Sequence, residues 1–476
     1  MSDNAAKAFL VLSAAALLVV VVFLYRPDYF STAEGLGFLL GAAGLVSVVA
    51  NYRKAFLPAT LVCFLVAGTG LPFHGILLQE RWIVLAVGAL LGLAVYLKTR
   101  VQSFRLFHLV ALFCVLSALV SASVSAYPGE SLLKAVSFLL LFVYAAAGAR
   151  TAVPREPERF FRALVLGIEI LVWASALCYF VLRYEVYGNP NSLGAVMSVA
   201  AIPVLLWAFV TAQWRTRRLR LGIELTLALV LLLSSFSRAS IGAATISCLV
   251  VCVSLRQYRV LIRGAVATIV LGACVILFVP PNVDGPSWDG SESMGSVFLY
   301  KGKSAQGVFG SRRSVWQQTW EVIREKPWFG SGFGTSDIGE DMTKLKYAPH
   351  HIDAWVIREH GNSYLAIAEW TGLLGVVPFF ALAGLVAVGA SRTFLYVRRT
   401  RDFFSPAVPA AAIVLSGLVH ATFEDWMFAV GYYICVFFWV MAFILVDLAP
   451  VASVATLPER VVTLPNQPYG AVPSFR

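Results

Sequence analysis

The sequence predicts an all-α polytopic membrane protein with about twelve to fourteen transmembrane helices and one large loop containing short helices. Three observations carry that prediction. Of 476 residues, 59% are hydrophobic and 13% charged, and the mean hydropathy is +0.79, well above the composition of a soluble domain. Apolar runs such as Phe9 to Tyr25, Leu36 to Ala50 and Phe138 to Ala149 are continuous and nearly free of charge. Strands of a membrane barrel would instead be about ten residues long and alternate strictly. Basic clusters, finally, recur in alternate loops, as they do in a helical chain threading a bilayer.

In chain order, spans are expected near residues 7 to 25, 33 to 50, 55 to 72, 82 to 97, 105 to 124, 131 to 149 and 160 to 182. Seven more are expected near 192 to 213, 220 to 236, 239 to 255, 261 to 281, 364 to 390, 405 to 423 and 427 to 449. The first reads as a retained helix, because no small-residue cleavage site follows it and a second span comes at once. The basic clusters are Arg53 and Lys54; Lys98, Arg100 and Arg105; Arg150, Arg155, Arg159 and Arg162; and Arg215, Arg217, Arg218 and Arg220. Arg256, Arg259 and Arg263, then Arg392, Arg398, Arg399 and Arg401, continue the alternation. By the positive-inside rule these loops and both termini are expected in the cytoplasm. The net charge of +11 is then topological and implies no nucleic acid.

The domain organisation that follows is transmembrane helices over 1–281, a loop or cap on the outer side over 282–363, C-terminal transmembrane helices over 364–449 and a cytoplasmic tail over 450–476. The loop opens with a Pro, Gly, Ser and Asp stretch from Pro280 to Ser293 and carries helix-like sequence from Ser314 to Glu325. All seven cysteines fall inside apolar runs, an odd number without paired spacing, which argues against a disulfide framework or a zinc site.

The polar clusters that interrupt this pattern are the candidate chemistry. Ser234-Ser235-Phe236-Ser237-Arg238-Ala239-Ser240 forces a turn between two spans. Arg238 there either snorkels at a helix end or meets an anion, for which a guanidinium fork suits phosphate. Arg312 and Arg313 open the loop helix, where the helix dipole disfavours cations unless an anionic ligand joins them; a solvated basic turn is the alternative. Gly330-Ser331-Gly332-Phe333-Gly334-Thr335 resembles a phosphate loop only superficially, since no Lys-Ser/Thr pair follows, and tight turn geometry explains it better. His350, His351 and Asp353, then His360 and Asn362, end the loop. A neutral histidine there could take a proton from an acceptor hydroxyl, and a capping or surface role is the plain alternative. Asn191 lies in the Asn189-Pro190-Asn191-Ser192 cap, and His420 to Asp425 in another polar turn, both with ordinary explanations. All of these clusters fall on one side of the membrane. That pattern, without a nucleotide motif, favours an enzyme acting on an anionic lipid substrate over a transporter, whose polar residues would sit at midplane.

The segment from Asn189 to Gly375 resembles the core of the bacterial O-antigen ligases and related polymerases. The matching pieces, in order, are Gly188-Asn189-Pro190-Asn191-Ser192, Ser237-Arg238-Ala239, Arg312 four residues before Trp316, Pro327-Trp328-Phe329-Gly330-Ser331-Gly332, and His360 through Tyr364-Leu365 to Gly372-Leu373-Leu374-Gly375. The resemblance implies a multi-pass protein of the bacterial inner membrane with its active site on the periplasmic side. The activity implied is transfer of O-antigen glycan from undecaprenyl diphosphate to lipid A-core in lipopolysaccharide assembly, inverting, and without metal, nucleotide or other cofactor. Carried over, Arg238 and Arg312 become diphosphate ligands and His360 the base; Arg313, Asn191, Asn362, His350 and His351 become substrate-binding candidates. One departure stands out: Gly361 occupies the family's histidine position, with His360 displaced by one residue. Either the loop accommodates the shift, or His350 or His351 serves instead. A polymerase or a protein O-oligosaccharyltransferase is the nearest enzymatic alternative, and a lipid-linked sugar transporter the non-enzymatic one.

Overall fold

The computed structural model describes residues 20–21, 24–26, 28–29, 32–71, 74–99, 104–153, 156–278, 310–336 and 359–450. Most of the expected first span, the loop residues 279–309 and 337–358 with His350 and His351, and the tail from 451 onward lie outside them. Every regular element among the described residues is helical. The helices are α1 (Ala33–Ala50), α2 (Tyr52–Ala67), α3 (His74–Thr99), α4 (Leu106–Ser123), α5 (Pro128–Ala152), α6 (Pro157–Val181) and α7 (Pro190–Thr211). They continue as α8 (Arg215–Ser234), α9 (Arg238–Ser254), α10 (Tyr258–Phe278), α11 (Gly310–Glu325), α12 (Ser363–Thr400), α13 (Ala407–His420) and α14 (Tyr433–Leu448).

Eight of the described helices are long and apolar enough to cross a membrane. Short turns reverse the chain between successive helices, so the basic clusters gather at one end of the bundle and the polar turns at 124–127, 182–189, 235–237 and 421–432 at the other. Prolines at the first helical positions of α5, α6 and α7 start those helices where a backbone N–H would lack a partner anyway. Helices α6 and α7 each include a π-helical stretch, Leu177–Val181 and Val196–Ala201.

The expected spans at 405 to 423 and 427 to 449 are shorter than expected, because the polar stretch between His420 and Tyr432 is a turn rather than helix. Short helices are tolerated here because they are encased. Every residue of α14 from Tyr433 to Leu445 is buried, and α13 is buried along most of its length. A helix apolar all round belongs at the centre of a bundle, where protein rather than lipid sets its length. At the basic end, the fully buried Arg150 of α5 reaches Asp447 of α14 at 3.5 Å, His108 at 3.3 Å and the Tyr96 hydroxyl at 3.1 Å. Arg105 donates to the carbonyl of Val446 beside them.

Candidate active site

At the opposite end, α12 is broken. Gly372 has φ 56° and ψ −159° inside an otherwise helical run, and the loop Pro327–Thr335 fills the gap. The amides of Ser331 and Gly332 donate to the carbonyls of Glu369 and Trp370 at 2.9 and 3.1 Å. Those of Leu373 and Leu374 donate to the carbonyls of Pro327 and Trp328 at 2.8 and 3.1 Å. The break thus exchanges intrahelical bonds for bonds to the loop, leaving these buried groups paired. No side chain fits the junction: a Cβ on Gly330 would lie 2.4 Å from the Glu369 and Trp370 carbonyls, and one on Gly372 2.6 Å from Trp328 backbone. The glycine-rich loop is therefore a structural plug, in keeping with the turn reading, and its two motifs form one unit.

The plug fixes a buried polar chain. Ser336 donates to Glu369 at 2.7 Å; Glu369 faces Nε2 of His360 at 3.2 Å; Nδ1 of His360 faces Asp425 at 3.4 Å, and the His360 amide donates to the same carboxylate oxygen at 2.6 Å. His360 is completely buried, with its ring edge-on to Trp370. Burial pushes the Asp425 carboxyl up, but the hydrogen bonds and charge of His360 outweigh it and hold the group below the usual carboxylate range. With carboxylate oxygens at both nitrogens, both contacts are hydrogen bonds only for a doubly protonated ring.

Arg312 lies on the other side of the same backbone. Its Nη1 donates to the carbonyl of Gly361 at 2.6 Å and its Nη2 to Glu424 at 2.8 Å. Gly361 has φ 60°, and a Cβ there would lie 3.0 Å from Nη1 of Arg312. A side chain at position 361 would thus face Arg312, whereas the ring of His360, one residue earlier, turns into the interior. Burial pushes the Glu424 carboxyl above its ordinary value, opposed by the charge and hydrogen bond of Arg312 and reinforced by the charges of Glu359 and Asp425. Arg313, the next helical position and about 100° around α11, is exposed.

Arg238 is the first residue of α9, half-buried and close enough to Arg312 for the two charges to interact. The turn before it is strained, with Phe236 at φ 48°. The first turn of α7 packs directly on it: a Cβ on Gly194 would lie 2.7 Å from the hydroxyls of Ser235 and Ser240. Asn189 caps α7 through the Ser192 amide at 2.8 Å, leaving Asn191 half-buried in that turn. Asn362 likewise accepts from the amides of Tyr364 and Leu365 and caps α12. His420 braces the serines. The Trp426 indole donates to its Nδ1 at 2.8 Å, which leaves the proton on Nε2 to be donated to Ser240 at 2.9 Å, and Ser240 meets Ser237 at 2.8 Å.

The structure brings together Arg238, Arg312, Asn362 and His360, with the Asn191 turn packed against the serines. Glu424, Asp425, Glu369 and His420 complete the arrangement. Sequence reasoning gave Glu424 and Asp425 an ordinary reading and passed over Glu369; the only available signal for Glu369 was a lone acid in an apolar span. Among the described residues no three His, Cys, Asp or Glu side chains are grouped as metal ligands. Two cations at helix N-termini, near one another and half-buried, make a receptor for an anion: an anion relieves both the dipole and the mutual repulsion.

The fold and this site define a polytopic, all-helical membrane protein with two arginines at helix N-termini near one another at one end of its bundle. Residues 223–380 match the protein family described as O-antigen ligase. That match supports glycan transfer of ligase or polymerase type by a glycosyltransferase-like enzyme acting on lipid-linked glycans. The match takes in Arg238, Arg312, the plug, His360 and the α12 break, and stops before His420, Glu424 and Asp425. No curated protein matches the chain.

Proposed function

We propose that the protein is an O-antigen ligase of the bacterial inner membrane, joining O-antigen glycan from undecaprenyl diphosphate to lipid A-core at the periplasmic face. The observation that carries this reading is the pairing of Arg238 and Arg312 at two helix N-termini. Their forks bind the donor diphosphate and take up its charge as the glycosyl bond to phosphate breaks. The acceptor hydroxyl attacks the anomeric carbon from the opposite side, so that centre inverts. Asn191 and Arg313 border the same region and bind the glycan or the outer phosphate oxygens, while Asn362 holds the α12 terminus beside Gly361. His350 and His351 remain substrate-binding candidates from the sequence alone.

The proton of that hydroxyl goes to Glu424. This carboxylate is partly accessible, its affinity for a proton is raised, and it is bound to Arg312; donor diphosphate takes over those guanidinium donors and frees it as a base. His360, buried between two carboxylates, acts through Asp425 and the backbone as a positioning residue.

The test is incubation of the purified protein in liposomes with carrier-linked O-antigen and lipid A-core, without nucleotide and with chelator, followed by gel analysis. Extended acceptor supports the ligase. Lengthening of the carrier-linked glycan with unextended acceptor replaces it by a polymerase, and glycan movement across vesicles without a new glycosidic bond replaces it by a transporter.

A further inference from the structure

A sizeable cavity lies away from this site. Between α2 and α6 a crevice of about 690 Å³ opens, within the range of sites that hold a ligand (roughly 300–1,000 Å³). Leu57, Leu61 and Leu65 of α2 form one wall, and Gly167, Ile168 and Leu171 of α6 the other. Val196 and Ala200 of α7 and Phe437 of α14 close its floor. The mouth is at the basic end of the bundle, where Arg53, Lys54 and Arg159 line it with a single acid, Glu156. Glu156 pairs with Arg159 at 3.0 Å, and all four side chains are exposed.

Length and charge both select the occupant. From Arg53 to Leu65 the α2 wall runs twelve residues, about 18 Å at 1.5 Å per residue. That is slightly more than one leaflet of a hydrocarbon core about 30 Å thick. A molecule filling it is therefore apolar over one leaflet's depth, with a negative head at the surface. We propose that the crevice binds one anionic phospholipid of the leaflet on the basic side, its chains between α2 and α6 and its phosphate at Arg53, Lys54 and Arg159. The site shares no residue with the candidate active site, so it stands whether or not the ligase reading does.

Native mass spectrometry of the full chain in detergent tests this, using phosphatidylglycerol and phosphatidylcholine with identical acyl chains. Basic residues near a membrane surface contribute about 1 kcal/mol each toward anionic lipid. The first phosphatidylglycerol should therefore bind at least about tenfold tighter than phosphatidylcholine. Arg53→Gln/Lys54→Gln/Arg159→Gln, entirely on the surface, should bring the two lipids to parity, whereas Arg398→Gln/Arg399→Gln should leave the preference intact. Gly167→Leu, which fills the crevice, should remove the first site for both lipids. Equal binding by the unmodified protein overturns the proposal, as does an unchanged preference in the triple variant. Displacement of the first lipid by an uncharged polyprenol also overturns it, since a neutral tail would then be the occupant.

Discussion

Arg312 donates to the Gly361 carbonyl and to Glu424, so its fork is already oriented before any substrate arrives. Arg238→Ala and Arg312→Ala should each lower kcat/KM about 10²- to 10³-fold, the scale of a lost charge-stabilising donor, in protein that still inserts and folds. Arg312→Lys should rescue poorly, because an ammonium cannot bridge two acceptors in a fixed plane. Unchanged turnover in both alanine variants would remove the diphosphate assignment. The acid limb of the pH profile separates the two candidate bases. Glu424 works as a base only when ionised, and its raised proton affinity places the loss of activity, as pH falls, above the usual glutamate value of about 4.3. Glu424→Gln should abolish that limb and cost about 10²- to 10⁴-fold in rate. His360→Gln should instead lower the melting temperature while the limb persists; the reverse pattern would return the proton to His360.

Among the elements, the broken helix α12 and its loop plug are the most constrained. Gly372→Ala places a side chain at φ 56° and against the backbone of Trp328, and Gly330→Ala presses on the carbonyls of Glu369 and Trp370. Each should destabilise by about 1–3 kcal/mol from backbone strain alone, with the steric contact adding to it, and activity should fall because Glu369, Ser336 and His360 all hang from this junction. Thermal melting in detergent checks the first effect. Gly242→Ala, at a helical position with open space around it, is the control and should be neutral or slightly stabilising.

For the whole molecule, the two ends of the bundle do different work. The basic end holds the buried Arg150–Asp447 pair, which ties α5 to the central α14. Arg150→Met leaves a buried carboxylate without its cation and should cost about 3–5 kcal/mol, whereas Arg150→Met/Asp447→Leu should recover most of that loss. Melting curves of both variants decide it; an equal loss in the double variant would mean that packing, not charge, makes the site important. The polar end carries the transfer chemistry in the proposed reaction. Cysteines placed at Thr422 and at Arg256 in a background without native cysteines should be labelled by an impermeant reagent from opposite sides of the membrane.

The amino-acid sequence by itself determined the all-helical membrane architecture, the alternation of helix directions and the gathering of the polar turns at one end of the bundle. Each of these follows from local hydropathy, cap residues and the distribution of Lys and Arg. The ordered motifs also identified the family segment and singled out Arg238 and Arg312, because an arginine at a helix start in an apolar chain is conspicuous on its own. Only the tertiary structure decided what those motifs touch. That the glycine-rich loop plugs a break at Gly372 depends on hydrogen bonds between segments about forty residues apart in a chain whose local pattern reads as a turn and a helix. That His360 faces inward while Gly361 faces Arg312 depends on the backbone at one glycine, and that Glu424 pairs with Arg312 joins residues 112 positions apart. Hydropathy and spacing are local quantities. The direction of a side chain at a loop end, and the partner of an acid in a polar turn, are set by packing between helices distant in the chain.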